Sequence, residues 1–227
     1  MFKSRSYTKE LLDGENIPRE DLYQNLRELD TINNLLGGYK ITFNALKKVL
    51  KAGNKISLLD IGSGGGDTLK KIDKWNSKQD YDLKLYGIDL KQVCIDYAVQ
   101  NNLSGIKFIC DDYKNALKHI QEVNIIHACF FCHLLNVHEI EELIKFCLLN
   151  KITLIINDLE RNAFAYYAIK MLTSIFSKSY LVKNDAPLSV LRGFKLQEWE
   201  FIIELPGAKK YSLNSMWAFR HQVKIYE

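Results

Sequence analysis

The sequence predicts an α/β protein whose mostly parallel sheet carries helices on both faces. Three observations support this class. From residue 56 onward, short apolar runs rich in β-branched residues alternate with stretches of helical periodicity. A tight run of glycines, Gly62 to Gly66, separates the first such strand from the helix after it. The tail instead holds two strand-like segments with no clear helix between them. Strands alternating with helices imply right-handed crossovers and parallel pairing, whereas the tail implies an antiparallel strand entering last.

The elements follow in order. Residues 1–18 read as an irregular or short helical arm ending near Pro18. Leu22, Leu26, Leu29, Ile32 and Leu36 fall at helical spacing across 19–36, with acids such as Asp21 in the first turn and Gly37-Gly38 as the stop. A second helix over 39–52 turns Phe43, Leu46 and Leu50 inward, and Gly53-Asn54 closes it. Strands are expected at 56–60, 83–89, 106–110, 124–129 and 152–157. Helices are expected at 67–78 (Leu69, Ile72 and Trp75 inward), 91–103, 113–121, 137–150 and 161–176. The last carries an apolar stripe of Phe164, Tyr167, Met171, Leu172 and Ile175. The two tail strands are read at 198–205 and 217–226, joined through Pro206-Gly207. Residues 1–52 then form a helical lid and 53–227 the main domain.

Composition narrows the function. The 227 residues are 47% apolar, enough for a full core. Thirty-one basic and 27 acidic side chains leave a net charge of +4, with no long Lys/Arg run, so nucleic acid is not an expected partner. The first nine residues lack the apolar core of a signal peptide, and no apolar run reaches the length of a membrane span. Five cysteines, an odd number, suit reduced thiols in the cytoplasm. Cys129 and Cys132 spell C-x-x-C, but a second ligand pair is missing and core packing suits them better. No metal is expected.

The glycine run carries the chemistry. Glycine reaches positive φ cheaply and lets a ligand approach the backbone closely. The helix that follows presents unpaired N–H groups and the positive end of its dipole. A dinucleotide site places a pyrophosphate there and calls for G-x-G-x-x-G. Counted from Gly62, the sixth residue here is Asp67, whose charge would repel that group. A zwitterionic ligand without phosphate fits better. Asp60, ending the first strand, can accept from an ammonium. Asp89, ending the second, can accept from two ribose hydroxyls.

These segments resemble the class I S-adenosylmethionine-dependent methyltransferases. Asp60-Ile61-Gly62-Ser63-Gly64-Gly65-Gly66 is similar to the family's first motif, and Tyr86-Gly87-Ile88-Asp89-Leu90 to its ribose-binding motif. Phe108 to Tyr113 resembles the adenine-end segment, and Ile125 to Phe130 the strand beside the reactive methyl, although the acid usual early in that strand is replaced near Asn124. The resemblance implies a Rossmann-like, seven-stranded, mostly parallel sheet with an antiparallel last strand. It also implies S-adenosylmethionine as cofactor, S-adenosylhomocysteine as product, and a cofactor site of Asp60, Gly62, Ser63, Gly64, Gly66, Asp89, Leu90, Asp111, Asp112, Tyr113 and Cys129. The segments 25–33, 36–38 and 157–161, with Tyr166-Tyr167, are similar to small methyltransferases of polyketide and ubiquinone/menaquinone pathways. They imply a small, aromatic or quinone-like acceptor, with O-methylation ahead of C-methylation.

Methyl transfer is largely alignment, aided by a base near neutral pKa. His133, in the loop after the fourth strand, is the candidate base, although capping or packing suits it equally. His127 lies within a strand and reads as core. Asp158 could orient an acceptor hydroxyl or cap the next helix, and Arg161 and Tyr166 could contact the acceptor. Arg27 and Asn33, on the lid helix, read first as solvated positions. The competing functions are an NAD(P)-dependent oxidoreductase and a non-catalytic scaffold on the same fold.

Overall fold

The computed structural model describes residues 2–14, 16–51, 53–79, 81–101 and 105–226. The expected helix ends at Ala52 and Leu103 lie outside the described residues. After the arm and a 3-10 turn at Leu11–Asp13, helices α1 (Arg19–Leu35) and α2 (Gly38–Val49) lead into strand β1 (Lys55–Ile61). The chain then alternates through α3 (Asp67–Asn76), β2 (Asp82–Asp89), α4 (Gln92–Gln100), β3 (Lys107–Cys110), α5 (Ala116–His119), β4 (Ile125–Cys129), α6 (Val137–Leu149) and β5 (Thr153–Leu159). Helices α7 (Ala163–Phe176), α8 (Tyr180–Arg192) and α9 (Leu196–Glu204) precede the hairpin of β6 (Tyr211–Met216) and β7 (Arg220–Ile225).

The seven strands run in the order β3-β2-β1-β4-β5-β7-β6. All are parallel except β7, which pairs antiparallel with both β5 and β6. The order reverses at β1, whose neighbours are β2 and β4. Such a switch point leaves a crevice outside the carboxyl ends of the strands.

Strand side chains alternate between faces. Leu58, Ile125 and Ile155 pack with Ala45 and Leu46 of α2 and Leu69 and Ile72 of α3. Leu59, Ile126, Leu154 and Ile156 pack with Ile140, Leu143 and Ile144 of α6 and with Trp199, Ile202 and Ile203 of α9. The boundary expected between residues 52 and 53 therefore crosses a shared core: α2 is one of the sheet's covering helices. Helix α1 lies against the glycine loop, where a Cβ on Gly64 would meet Leu26 at 3.6 Å. Its Leu22 and Leu26 meet Cys94 and Tyr97 of α4.

Three sequence expectations need correction. Residues 196–204 are helical, not a strand; Trp199, Ile202 and Ile203 sit at helical spacing on one buried face. The run W-E-F-I-I-E satisfies either period, and contact with α6 decides it. The tail strands accordingly shift to the β6–β7 hairpin. The expected stripe of α7 faces outward: Phe164 is 69% exposed and Met171 64%. Its opposite side, with Tyr166 and Thr173, is the buried one, and the helix packs on α8, which sequence reading left unassigned. Finally, β5 continues to Leu159, so Asp158 is a strand residue; the cap of α7 is Asn162, whose carboxamide oxygen accepts from Phe164 N–H at 2.9 Å.

After α8 the chain returns past the end of β5, where Glu160 bridges to Phe194. A Cβ on Gly193 would lie 2.5 Å from the Leu159 carbonyl oxygen and 3.1 Å from the Arg161 nitrogen, both backbone atoms. Gly193→Ala should therefore cost about 1–3 kcal/mol through overpacking, read as a lowered urea midpoint. Gly105→Ala, where nothing lies within 4 Å, should be close to neutral in the same measurement.

Candidate cofactor and acceptor site

The glycine loop is built as its composition requires. Gly62, Gly64 and Gly66 have φ of 64°, 51° and 72°, a region that costs other L-residues about 1 kcal/mol or more. Space matters equally. A Cβ on Gly62 would sit 2.3 Å from the Phe131 ring, and one on Gly66 2.5 Å from Phe108. The loop is held by Ser63 N–H to Ile88 carbonyl at 3.0 Å and Gly66 N–H to Ser63 carbonyl at 2.9 Å. The Ser63 hydroxyl is buried without a partner among the described residues.

Asp89 ends β2 beneath this loop. Its Oδ2 accepts the Gly64 N–H and its Oδ1 the Lys91 N–H, both at 2.9 Å. Each oxygen keeps a further lone pair. Burial raises its pKa, opposed by those two N–H groups. Leu90, next in the chain, is 72% exposed, an apolar side chain held out at the edge of the crevice. A cavity of about 210 Å³ lies between the arm, α1 and the start of α4, lined by Gly14, Ile17, Leu22, Lys91, Gln92 and Val93.

At the end of β3 the two acids differ. Asp111 accepts from Asn115 Nδ2 at 2.9 Å and from the Asp112 N–H at 2.7 Å, and contacts His119 Nε2 at 2.6 Å. The Asn115 and His119 contacts bring its pKa down to about 2. Asp112 caps the 3-10 turn after it by accepting from Lys114 N–H at 2.9 Å. Tyr113 meets Phe131 edge to face, ring centres 5.4 Å apart, and burial raises the pKa of its hydroxyl.

Asp60 is placed differently from the expected ammonium acceptor. It is 2% exposed, and its Oδ1 lies 2.7 Å from His127 Nδ1. His127 Nε2 lies 3.0 Å from Thr42 Oγ1, which accepts from Asn157 Nδ2 at 3.3 Å. In the Nδ1–H tautomer the donors run in one direction, from Asn157 through Thr42 and His127 to Asp60. Asn157 Nδ2 also donates to the Gly38 carbonyl at 3.0 Å and faces the Cys129 sulfur at 3.6 Å. Burial pushes the Cys129 thiol pKa up.

His133 is buried between two carboxylates. Its Nδ1 lies 2.7 Å from Asp158 Oδ1 and its Nε2 3.6 Å from Glu10 Oε1. Asp158 also accepts the backbone N–H groups of His133 and Leu159 at 3.0 and 2.7 Å. Burial disfavours the imidazolium, but Asp158 and Glu10 outweigh it and raise the pKa to about 9. A base must be unprotonated, so these contacts oppose the expected role of His133. Asp158, expected to orient an acceptor, is itself 1% exposed and holds His133 instead. The group ties the N-terminal arm to the loop after β4, where Arg5 and Arg192 donate to the His133 carbonyl.

The other acceptor candidates are likewise engaged. Arg161 makes a bidentate pair with Glu198 at 2.7 and 3.0 Å and donates to the Gly193 and Phe2 carbonyls. Tyr166 is buried against Phe2 of the arm. Asn33, expected in solvent, is buried and accepts from Arg220 Nη1 at 2.9 Å; Arg27 is exposed as expected. Sequence reading missed Arg220, Thr42 and Glu10, and took Asn157 only as part of the segment 157–161. The available signal was a polar run, Arg220-His221-Gln222, opening a strand that is buried throughout.

The sequence matches no protein-family model and no curated protein. Solved structures do match. The plantazolicin methyltransferase BpumL, in complex with a pentazolic desmethylPZN analogue and SAH, aligns at a TM-score of 0.65 and 19% identity over 92% of this chain and 90% of its own. A SAM-dependent methyltransferase from Aquifex aeolicus aligns at 0.57 and 18% identity, over 92% of this chain and 98% of its own. Human N-acetylserotonin methyltransferase with SAM gives 0.64 and 12% identity, over 92% of this chain and 56% of its own. The chain has the fold of the class I methyltransferases. Its strand order and reversed β7 agree with that architecture, and the glycine loop lies at the switch point of the methyltransferase sheet. Among the described residues no helix is long and apolar enough to cross a membrane.

The His133 group makes stability depend on pH. Its folded pKa, about 9, exceeds the ordinary 6.5. Its stabilisation is therefore complete below pH 6.5 and lost as pH rises through about 9. The amount is about 3 kcal/mol, shared with both carboxylates. Urea midpoints of the native protein and His133→Gln should differ most below pH 6.5 and converge by pH 10. A gap independent of pH contradicts this.

Proposed function

We propose that the protein is an S-adenosylmethionine-dependent methyltransferase of small molecules, with an aromatic or quinone-like acceptor and O-methylation ahead of C-methylation. The observation that carries the reading is Asp89. Two backbone N–H groups fix its carboxylate below the glycine loop, and each oxygen retains a lone pair, which suits a vicinal ribose diol. The cofactors printed for the structural neighbours, SAH and SAM, support the same reading.

The residues present fit such a ligand. The Asp89 carboxylate would take both ribose hydroxyls. Asp112 would accept from the adenine amino group while Leu90 and Phe131 cover the ring. The glycine loop would admit the amino-acid end without a Cβ in its path, with the orphan Ser63 hydroxyl beneath it. When bound, the sulfonium supplies an electrophilic methyl group. The protein's part is alignment: α1, packed on α8, would cover the bound ligand and keep water from it. Asp60 acts through His127, fixing the floor of the site. Asp158 and His133 hold the loop after β4, and Arg161 and Tyr166 hold the region behind it. A dinucleotide remains disfavoured. Asp67 opens α3 where a pyrophosphate would sit, half-buried, with its nearest cation Lys70 at 3.5 Å.

Calorimetry with S-adenosylhomocysteine tests this directly. Asp89→Ala should weaken binding by about 3 kcal/mol, on the order of a hundredfold, through loss of two hydrogen bonds to a charged acceptor. The circular dichroism spectrum should not change. The ionised carboxylate is the accepting form, so native affinity should fall as pH drops through the Asp89 pKa, which burial raises. Tight NADH binding with none for S-adenosylhomocysteine would reverse the reading. Methyl transfer from labelled cofactor to a panel of phenols, quinols and pyrones identifies the acceptor.

A further inference from the structure

Strand β7 opens with a charge that forms no ion pair with any of the described residues. Arg220 is 2% exposed. A guanidinium taken out of water is costly unless carboxylates or a full set of acceptors replace the water. The other two buried arginines meet that requirement. Arg161 has its bidentate Glu198, and Arg192 has Asp13 at 3.4 Å and the carbonyls of Thr8, His133 and Leu134. Arg220 has one hydrogen bond among the described residues, Nη1 to Asn33 Oδ1, and no carboxylate within 4.0 Å. Its Nε is buried with no acceptor.

A second orphan stands beside it. The Oδ1 of Asn157 is also buried without a donor. Asn157 binds the Gly38 carbonyl, and a Cβ on Gly38 would fall 1.7 Å from Arg220 Nη1. Both side chains therefore meet at the first residue of α2. Both also lie at the carboxyl edge of the sheet, where Asn157 pairs with Cys129 across β4 and Arg220 with Leu159 across β5. The guanidinium lies over the Phe130 ring, 4.6 Å from its centre, and Phe130 is held there with a φ of 54°. Planar donors, one nearby acceptor and an aromatic floor match a flat anionic group with an adjacent hydroxyl.

We infer that Arg220, with Asn157 beside it, binds an anionic oxygen group of the methyl acceptor, a carboxylate or phenolate that carries a neighbouring hydroxyl. The inference rests on the methyltransferase reading for the word acceptor alone; the anion site stands on Arg220 itself. A phenolate held this way is already ionised, which lightens the need for a side-chain base.

The test follows the arginine Nε–H signal of the full-length, ¹⁵N-labelled protein saturated with S-adenosylhomocysteine, assigned by its loss in Arg220→Lys. Salicylate, a planar carboxylate with an adjacent hydroxyl, should shift it saturably, and uncharged salicylamide should not. Arg220→Lys should weaken salicylate binding about tenfold or more and leave S-adenosylhomocysteine affinity within about twofold. No shift with salicylate, or an equal shift with salicylamide, overturns the inference. A shift caused by S-adenosylhomocysteine but not by 5′-methylthioadenosine would hand Arg220 to the cofactor's carboxylate and also overturn it. Failure of S-adenosylhomocysteine to bind removes the methyltransferase reading instead, and salicylate titration of the free protein still reports on the anion site.

Discussion

The upper half of this molecule is organised by one buried contact, Asp60 against His127. A carboxylate withdrawn from water must be compensated at close range, and the neighbouring strand provides the partner because Asp60 and His127 are in register. His127 then needs something on its other nitrogen, which Thr42 of α2 supplies. Thr42 passes the requirement to Asn157 of β5, and Asn157 reaches the Gly38 carbonyl at the start of α2. Each link satisfies a buried polar group by committing the next. Together they fix the position of α2, and through the α1–α2 turn that of α1 above the crevice.

That chain explains why the floor of the site is polar yet closed. Within the glycine loop Gly62 and Gly64 stay partly exposed, while Asp60 is committed to His127. Asp89 differs from Asp60 in this respect: its partners are backbone N–H groups, one per oxygen, and its capacity is only half used. The two acids look alike in sequence, each ending a parallel strand. Their roles diverge because one faces a histidine on the adjacent strand and the other faces the loop.

The ionic groups divide in the same way. His133, Asp158 and Glu10 form a compensated cluster that anchors the N-terminal arm, and Arg161 with Glu198 closes the return from α8. Arg220 is the exception among the buried arginines, and its position between Phe130 and the α1–α2 turn sets it apart from these structural ties. The outward stripe of α7 has a related cause. The helix is apolar on more than one side, and packing against α8 selects Tyr166 and Thr173 rather than the longer stripe for burial.

The sequence by itself determined the α/β class, the glycine loop, the strand-end acids and most element positions up to β5. These are local properties: a period of two or 3.6, a positive φ, a carboxylate after an apolar run. The tertiary structure alone decided residues 196–204, whose pattern fits both periods until α6 is present to bury one face. It alone decided that Asp60, Asp158, His133 and Arg161 are occupied by partners from distant segments, with Glu10 and Glu198 far away in sequence. It also brought Arg220 and Asn157 together. Ionic and hydrogen-bond pairing between strands and helices depends on register and crossing, which no local pattern encodes.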